Sequence, residues 1–535
     1  MSGEPTQAHL PKLLERGRIG DAVLIPALGV AQALALGVGA FATRDAFTAL
    51  HGNGSPTLAN LAVLVGAGLT AAGIEVLSRQ RSEALGQSYA LSLRHVLYDH
   101  LAGMDRREVA ARRVGSLSLR FVGDLSAARG WFGRGVSRIL TALVVLPAAA
   151  LVLYLLNPLL AAVATPPILL SLLGMLALAI GLQDRHRSLR GQRASISIAM
   201  MERIAIAPDL DLLDRTDREL AALDDDGAVL RRNAVARISR VGLLRMLPQA
   251  GAAVAGAAML WVSGRAGVAP GETAAGLAVL GILIIPLREF AEVWDQYCAW
   301  RVAREKALEL LARPSARRHV VPQGHPVGLR LVGLPLGPRR IDAEIPPGAL
   351  ALITGPPGSG KSLLGQLIAG LDHAPHGTLL YDGQAAPLPR ILHVGDRSIA
   401  IQGSLRRTLT LGIEPRPGRR DIERAARTFG LAPLMTRLDG LLGRVGEAAR
   451  TASDSEALRL DLTRAALSRP DVMVIDAVRL WSDPEQAALL GHLRRLTDCT
   501  MLLIGPPAAA IACDVIIDLA EYPVAPSPDA RALPS

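Results

Sequence analysis

The sequence predicts a helical membrane domain followed by a soluble α/β domain with a parallel sheet, and three observations carry that reading. Half of the 535 residues are hydrophobic and the mean hydropathy is +0.31. Six apolar stretches, each near the roughly 20 residues that cross a bilayer, lie ahead of Val293. Beyond them, Gly355-Pro356-Pro357-Gly358-Ser359-Gly360-Lys361-Ser362 fits G-x-x-x-x-G-K-[ST], the loop whose backbone cradles phosphates.

Residues 1–18 mix acidic and basic side chains ahead of a span too long for a secretory core, so they read as a cytoplasmic segment and not a signal peptide. Spans are expected at about Ile19–Phe41, Ser55–Ser78, Val136–Leu156, Pro158–Leu182, Gly242–Gly264 and Gly271–Glu292, within a membrane domain of residues 19–311. Asn157-Pro158 makes a tight hairpin between the third and fourth. Thr165-Pro166-Pro167 and Pro286 are expected to kink the fourth and sixth. The connections after spans one, three and five are short. Residues 79–135 and 183–241 are long and carry about ten arginines apiece, which places both, and both termini, on the cytoplasmic side.

That placement explains the net charge of +10, which is almost wholly arginine, since Lys12, Lys306 and Lys361 are the only lysines. The basic balance belongs to the loops, so nucleic-acid binding is set aside. The long loops look helical, for instance over Glu83–Met104 and Ala194–Ala205. Spans two to five should therefore continue past the membrane, with far turns near Arg106–Gly115 and Ile206–Arg215 able to touch a soluble domain. Cys298, Cys499 and Cys513 have no metal-ligand or paired spacing. Glu75, Gln249 and Glu272 lie within or beside spans, where helix ends explain them as well as a transport pathway does.

Residues 312–328, rich in Pro, Arg and Gly, read as a linker. Over 329–522 short apolar strands alternate with helical segments, and 523–535 is a Pro/Ala-rich tail expected to be disordered. Ala349–Thr354 is a strand feeding the glycine-rich loop, and Ser362–Ala369 is the helix behind it. In that context backbone N–H groups converge on phosphate oxygens, Lys361 reaches the β- and γ-phosphates and Ser362 ligates Mg²⁺. Val472-Met473-Val474-Ile475-Asp476 is a buried strand delivering a second Mg²⁺ ligand, Asp476.

Arg464 to Asp476 resembles the stretch A-R-A-L-x-x-x-P-x-x-L-L-L-D of ATP-binding cassette (ABC) proteins. Arg106 to Asp124, with Gly115, Arg120 and Asp124, resembles their coupling segment. Nearly the whole chain is similar to an exporter-type ABC half-transporter, a six-helix transmembrane domain followed by an α/β P-loop ATPase domain. The resemblance implies ATP and Mg²⁺ as ligands, a lipid bilayer around the spans, and dimers in which each ATP lies between one P-loop and the partner's L-S-G-G-Q.

Departures from the family pattern are as specific as the likeness. The signature position holds Ala452-Ser453-Asp454-Ser455-Glu456, whose two carboxylates are expected to repel a triphosphate. Ala477 replaces the glutamate that polarises water, Asp396 the glutamine after Ile391–Val394, and Pro506 (or Pro507) the histidine that senses the γ-phosphate. No aromatic residue lies between Trp300 and Tyr381 to stack on adenine, where Arg339 is the expected substitute. Asp483 is positioned as the cross-dimer aspartate. Losing the water-orienting groups should cost several powers of ten in hydrolysis while nucleotide binding persists.

The expected function is the ATP-binding, catalytically degenerate half of a heterodimeric exporter. It would sit in a bacterial inner membrane and pair with a second, catalytic half-transporter. A homodimeric ATP-hydrolysing exporter and a nucleotide-gated scaffold that transports nothing are the alternatives. The sequence leaves the cargo open among peptides, lipids, haem-related molecules and secreted proteins.

Overall fold

The computed structural model describes residues 9–522 apart from 16, 53, 113–116, 118–119, 180–181, 375–376, 397, 447–451, 482–483 and 507–511. The chain divides into two compact units. One comprises Thr6–Ala102 with Ala110–Pro314, and the other Gly103–Val109 with the chain from Ser315 onward.

The first unit is helical. In order come α1 (Ile19–His51), α2 (Leu58–Gly103), α3 (Arg106–Ala110, shared with the second unit), α4 (Phe121–Leu156), α5 (Pro158–Ala179), α6 (Leu182–Ala205), α7 (Ala207–Leu212), α8 (Thr216–Ala266) and α9 (Pro270–Leu311). Among the described residues, six of these (α1, α2, α4, α5, α8 and α9) are long and apolar enough to cross a membrane. The 46 residues of α2 and 51 of α8 give helices of about 70 Å or more at 1.5 Å per residue, over twice the hydrocarbon thickness. The short turns α3 and α7 follow α2 and precede α8. Helix α5 runs unbroken through Pro166 and Pro167, and α9 through Pro286.

Small residues set how closely these helices pack. Ala40, Ala252, Ala255 and Ala275 interleave with Leu153, Leu160, Met259 and Leu283 in one core drawn from α1, α4, α5, α8 and α9. A Cβ on Gly86 would lie 2.6 Å from the Arg129 carbonyl and 2.8 Å from Gly133 Cα, so α2 and the start of α4 touch backbone to backbone. That start is wound in wide π-helical turns at Arg120–Asp124 and Gly130–Gly135. Phe132 packs between Tyr89, tilted against it, and Trp300, edge-on, with ring centroids 3.6 and 5.2 Å away. Asn157 caps α5 by accepting from Leu159 N at 3.0 Å, and its amide donates to Glu272 at 2.7 Å, which accounts for that carboxylate at a helix end.

The second unit is built on sheets. Its strands are β1 (Leu329–Leu336), β2 (Arg339–Ile345), β3 (Leu350–Thr354), β4 (Thr378–Tyr381), β5 (Ile391–Gly395), β6 (Gly403–Ser404), β7 (Arg444–Val445), β8 (Val472–Asp476), β9 (Thr500–Ile504) and β10 (Val515–Asp518). Its helices are α10 (Lys361–Ile368), α11 (Leu405–Leu409), α12 (Arg419–Thr428), α13 (Ala432–Arg437), α14 (Asp454–Ser468) and α15 (Pro484–Leu496).

A parallel sheet in the order β10-β3-β9-β8-β5 lies at the centre, with an antiparallel sheet β2-β1-β4 beside it. Period-two alternation divides the central strands between two cores. Val472 and Val474 join Leu364 and Ile353 on one face, while Met473 and Ile475 join Leu462 and Leu490 on the other. Helices α11 to α14 enclose a separate apolar cluster around Leu405, Ile422, Leu434 and Leu460. Pro/Gly-rich residues 318–328 are held down. The buried Asp471 carboxylate accepts from Gln323 N (2.8 Å), Gly324 N (2.9 Å) and Arg390 N (2.8 Å), and Arg318 donates to Leu371 O at 2.8 Å.

Candidate nucleotide site

A parallel sheet gathers functional groups where its strands end, because all the carboxyl ends lie on one edge. Here Thr354, Asp476, Gly395 and Ile504 close β3, β8, β5 and β9 on that edge. The loop after β3 takes up the left-handed backbone that only glycine adopts freely, with φ +141° at Gly355, +76° at Gly358 and +96° at Gly360. A Cβ on Gly360 would fall 2.8 Å from Leu336 Cγ, so β1 packs directly under the loop.

Pro356 and Pro357 contribute no N–H, which confines donors to the stretch from Gly358 into the first turn of α10. Lys361 Nζ donates to Gly355 O at 2.8 Å and Pro356 O at 2.9 Å, a bridge across the loop that sets its ammonium over the cradle. Ser359 and Thr354 are buried, and each hydroxyl lacks a partner among the described residues. Polar hydroxyls stranded beside a glycine-built concavity are groups that an oxyanion would satisfy.

Asp476 is hydrogen-bonded to the Ser362 side chain, so the structure joins the two sequence-predicted metal ligands. Gly395 is the cross-strand partner of Asp476, and Asp396 is the next residue, so two carboxylates stand side by side. The Asp476 carboxyl is pushed up from its ordinary value. Burial is the chief cause, the Asp396 charge adds to it, and the Ser362 bond with the fields of Arg106 and Lys361 opposes it. A half-buried carboxylate, an exposed one beside it and a hydroxyl are a hard oxygen set suited to Mg²⁺. Asp396 also accepts from Val478 N at 2.8 Å. These residues fit a nucleotide triphosphate with Mg²⁺, and such a ligand would supply the phosphoanhydride whose cleavage drives this fold class.

Immediately past Asp476 the chain turns into the core and, among the described residues, brings no acid to the sheet edge. Ala477 is 1% exposed and packed with Met473, Leu480 and Leu503. Arg479 donates to Gly395 O (3.2 Å) and to Asp454 O (3.1 Å), linking β5 to the start of α14. Trp481 donates to Ile504 O at 2.9 Å, and its indole lies against Gly505, 2.5 Å from where a Cβ would stand. Pro506 is exposed at the end of β9. Asp483, Pro507 and Gly115 lie outside the described residues. Arg339 is engaged with Tyr522 O at 3.2 Å.

At the signature position Glu456 is held within its own chain. Glu456 does not project a free charge from the start of α14. It accepts from Ser453 N at 2.9 Å while Ser453 Oγ accepts from Glu456 N at 3.2 Å, a reciprocal capping box, and Arg437 grips the same carboxylate at 2.8 and 3.1 Å. The carboxylate is thereby paired with Arg437 and turned back on its own chain. The sequence carried the signal, because Ser453-Asp454-Ser455-Glu456 is S-x-x-E ahead of an apolar run. Deeper in α14, Asp461 and Arg464 form a buried ion pair at 2.6 Å. It holds the segment after Asp396 through Ser398 Oγ (2.9 Å) and Ile399 O (2.6 Å).

Residues Gly103–Val109 belong to this unit and pack near the same sheet edge. Arg106 N donates to Leu371 O at 3.0 Å, Arg107 N to Asp372 at 3.0 Å, and Asp105 pairs with His373 at 2.5 Å. Arg106 also reaches His393 on β5, Nη1 to Nδ1 at 3.5 Å. Burial first, then the Arg106 charge, lowers the His393 pKa to about 4.

Residues 338–478 match the ABC transporter family. A solved bacterial Atm1-family ABC exporter with ATP bound superposes with a TM-score of 0.76 over 95% of this chain and 94% of its own, at 19% identity. The chain therefore has the fold of an exporter-type ABC half-transporter, six transmembrane helices fused to an ABC ATPase domain. The family match implies ATP and Mg²⁺ binding in general terms.

Among curated relatives, the multidrug efflux ATP-binding/permease protein of Mycobacterium tuberculosis is 31% identical over 250 residues, 42% of this chain and 20% of its own length. The chain thus spans about a fifth of the first relatives it matches. An uncharacterized ABC transporter ATP-binding protein of Bacillus subtilis is 22% identical over 75% of this chain and 70% of its own. The mycobactin import ATP-binding/permease protein IrtB of Mycolicibacterium smegmatis is 33% identical over 26% of each.

Proposed function

We propose that this chain is the nucleotide-holding half of an ABC-type exporter, paired with a distinct catalytic half in a bacterial inner membrane with both termini cytoplasmic. In this reading Gly355, Pro356, Pro357, Gly358, Ser359, Gly360, Lys361 and Ser362 hold the phosphates, and Ser362 with Asp476 holds Mg²⁺. The observation that carries it is the contrast within one sheet edge. The phosphate loop and its carboxylates are assembled, while Ala477 behind them is buried in the core. Among the described residues Asp396 is the remaining acid there, and its bond from Val478 N favours a fixed role over that of a mobile base.

The outward direction is taken from the exporter fold; the relatives include an efflux protein and an import protein, so direction rests on that likeness. The test uses the full chain alone in lipid nanodiscs, with MgATP binding and steady-state hydrolysis read on one sample and Lys361→Ala as the blank. Binding that the variant loses, with hydrolysis at the blank's rate, is expected. Turnover in the roughly 1–10³ s⁻¹ range usual for enzymes overturns the proposal in favour of a homodimeric ATPase.

A further inference from the structure

We infer that the cavity between α1, α2, α4 and α9 binds an anionic amphiphile, one acidic headgroup on an aliphatic body. This deepens the transporter reading and rests on it, since it names the class of cargo. The cavity measures about 320 Å³ and lies wholly within the helical unit, near the lower end of the roughly 300–1,000 Å³ usual for ligand sites.

Arg79, Arg134 and Arg138 in the lining face Glu75, Glu83 and Glu289, but Glu83 is paired with Arg129 outside the lining, which leaves one lining arginine over. The lining carboxylates are all engaged: Glu75 with Arg79, Glu83 with Arg129 at 3.5 Å, and Glu289 with Arg138 at 3.5 Å. Glu292 nearby is held by Arg138 and by Arg245 at 3.0 Å. Arg134 lines the cavity and, among the described residues, makes no hydrogen bond or ion pair. The field of Glu292 reaches it, but that carboxylate is already bonded twice. An adjoining cavity of about 200 Å³ adds Arg288 and so a further positive charge. Arg134 is exposed, so its guanidinium is open to an incoming anion, with which it can form a charge-assisted hydrogen bond.

Ser137 supplies the second observation. It is 3% exposed, lines the cavity, and its hydroxyl has no partner among the described residues. The wide turn over Gly130–Gly135 leads into this stretch of α4, and Arg134, Ser137 and Thr141 share one wall. Leu36, Val145 and Ile282 continue that wall as an apolar surface, and they also line the small gap beyond it. One end therefore offers a guanidinium and a free hydroxyl to a carboxylate, sulfate or phosphate, and the other accepts an alkyl chain.

The test uses the full chain in nanodiscs of zwitterionic lipid, with dansylated undecanoic acid as the fluorescent probe and protein-free nanodiscs as the blank. Dodecyl phosphate should displace the probe, and dodecyltrimethylammonium should not. Arg134→Gln should weaken probe binding roughly tenfold, Arg134→Lys should restore most of it, and Ser137→Ala should cost a few-fold. Two sources share this chemistry. Competition that appears when anionic phospholipid is added to the nanodisc identifies a lipid; indifference to the lipid, with displacement by free dodecyl phosphate, identifies a soluble amphiphile. Equal displacement by the cationic surfactant, or wild-type affinity in Arg134→Gln, overturns the inference. MgATP binding on the same samples reports the fold and separates the two proposals, because losing it defeats the transporter reading and leaves the cavity result standing.

Discussion

Asp476 and His393 lie on neighbouring strands and respond to pH in opposite senses. Burial and the Asp396 charge raise the Asp476 carboxyl, so its proton competes with Mg²⁺ at a higher pH than an ordinary aspartate allows. Mg²⁺-dependent ATP binding should therefore begin to weaken, as pH falls, sooner than an ordinary aspartate would allow, and Asp476→Asn should flatten that profile. A wild-type pH profile no different from that of Asp476→Asn contradicts the assignment of Asp476 to the metal. In stability the raised carboxyl favours the folded state at low pH and loses that contribution as pH rises through its folded pKa.

His393 runs the other way. Its folded pKa of about 4 lies below the ordinary value of 6.5, so its contribution is complete above 6.5 and is lost as pH falls toward 4. The loss is on the order of 3 kcal/mol. Thermal melting in nanodiscs should show a steeper decline between pH 6.5 and 4.5 for the wild type than for His393→Gln. Equal slopes would place the destabilisation elsewhere.

At the level of elements, α14 does two jobs that depend on its own ends. Its N-terminus is closed by the Ser453–Glu456 box and by Arg437, and its buried face carries the Asp461–Arg464 pair. Ser453→Ala should cost about 1 kcal/mol of stability, read as a modest fall in melting temperature. Asp461→Ala should cost about 3–5 kcal/mol, because it strands a buried guanidinium. If Asp461→Ala matched Ser453→Ala, the buried pair would contribute nothing beyond helix capping.

These same residues show what could be read from the chain. The glycine loop, the apolar strand ending in Asp476 and the six spans were legible because each is a local pattern with one physical cause. The Ser453 box was equally local but was eclipsed by its aligned role in the family pattern. The Asp461–Ser398 bond and the Arg479 bridge from Gly395 to Asp454 join residues 63, 84 and 25 positions apart. No periodicity records such pairs. The cavity beside Arg134 was hidden for the same reason, since its surplus charge emerges only when four helices pair the other arginines with glutamates.

Across the whole molecule, a degenerate site could differ from a working one at a single position or throughout the sheet edge. Ala477 sits in the core with Met473, Leu480 and Leu503, Trp481 fills the space over Gly505, and Arg479 fastens β5 to α14. A glutamate at 477 would enter a site with no room for a solvated carboxylate. It would either stay buried and protonated or disrupt the packing. The two carboxylates already on that edge would raise its pKa further.

Ala477→Glu, even combined with Pro506→His, should therefore leave hydrolysis by the chain alone within about tenfold of the Lys361→Ala blank, a recovery of at most about 1.4 kcal/mol in the barrier. It should also lower the melting temperature, as a polar group placed in a packed core does. A rise of several hundredfold with unchanged stability would mean that one substitution had silenced an intact machine. The failure of the double variant, beside retained MgATP binding, is the result that a half specialised to hold nucleotide for a catalytic partner should give.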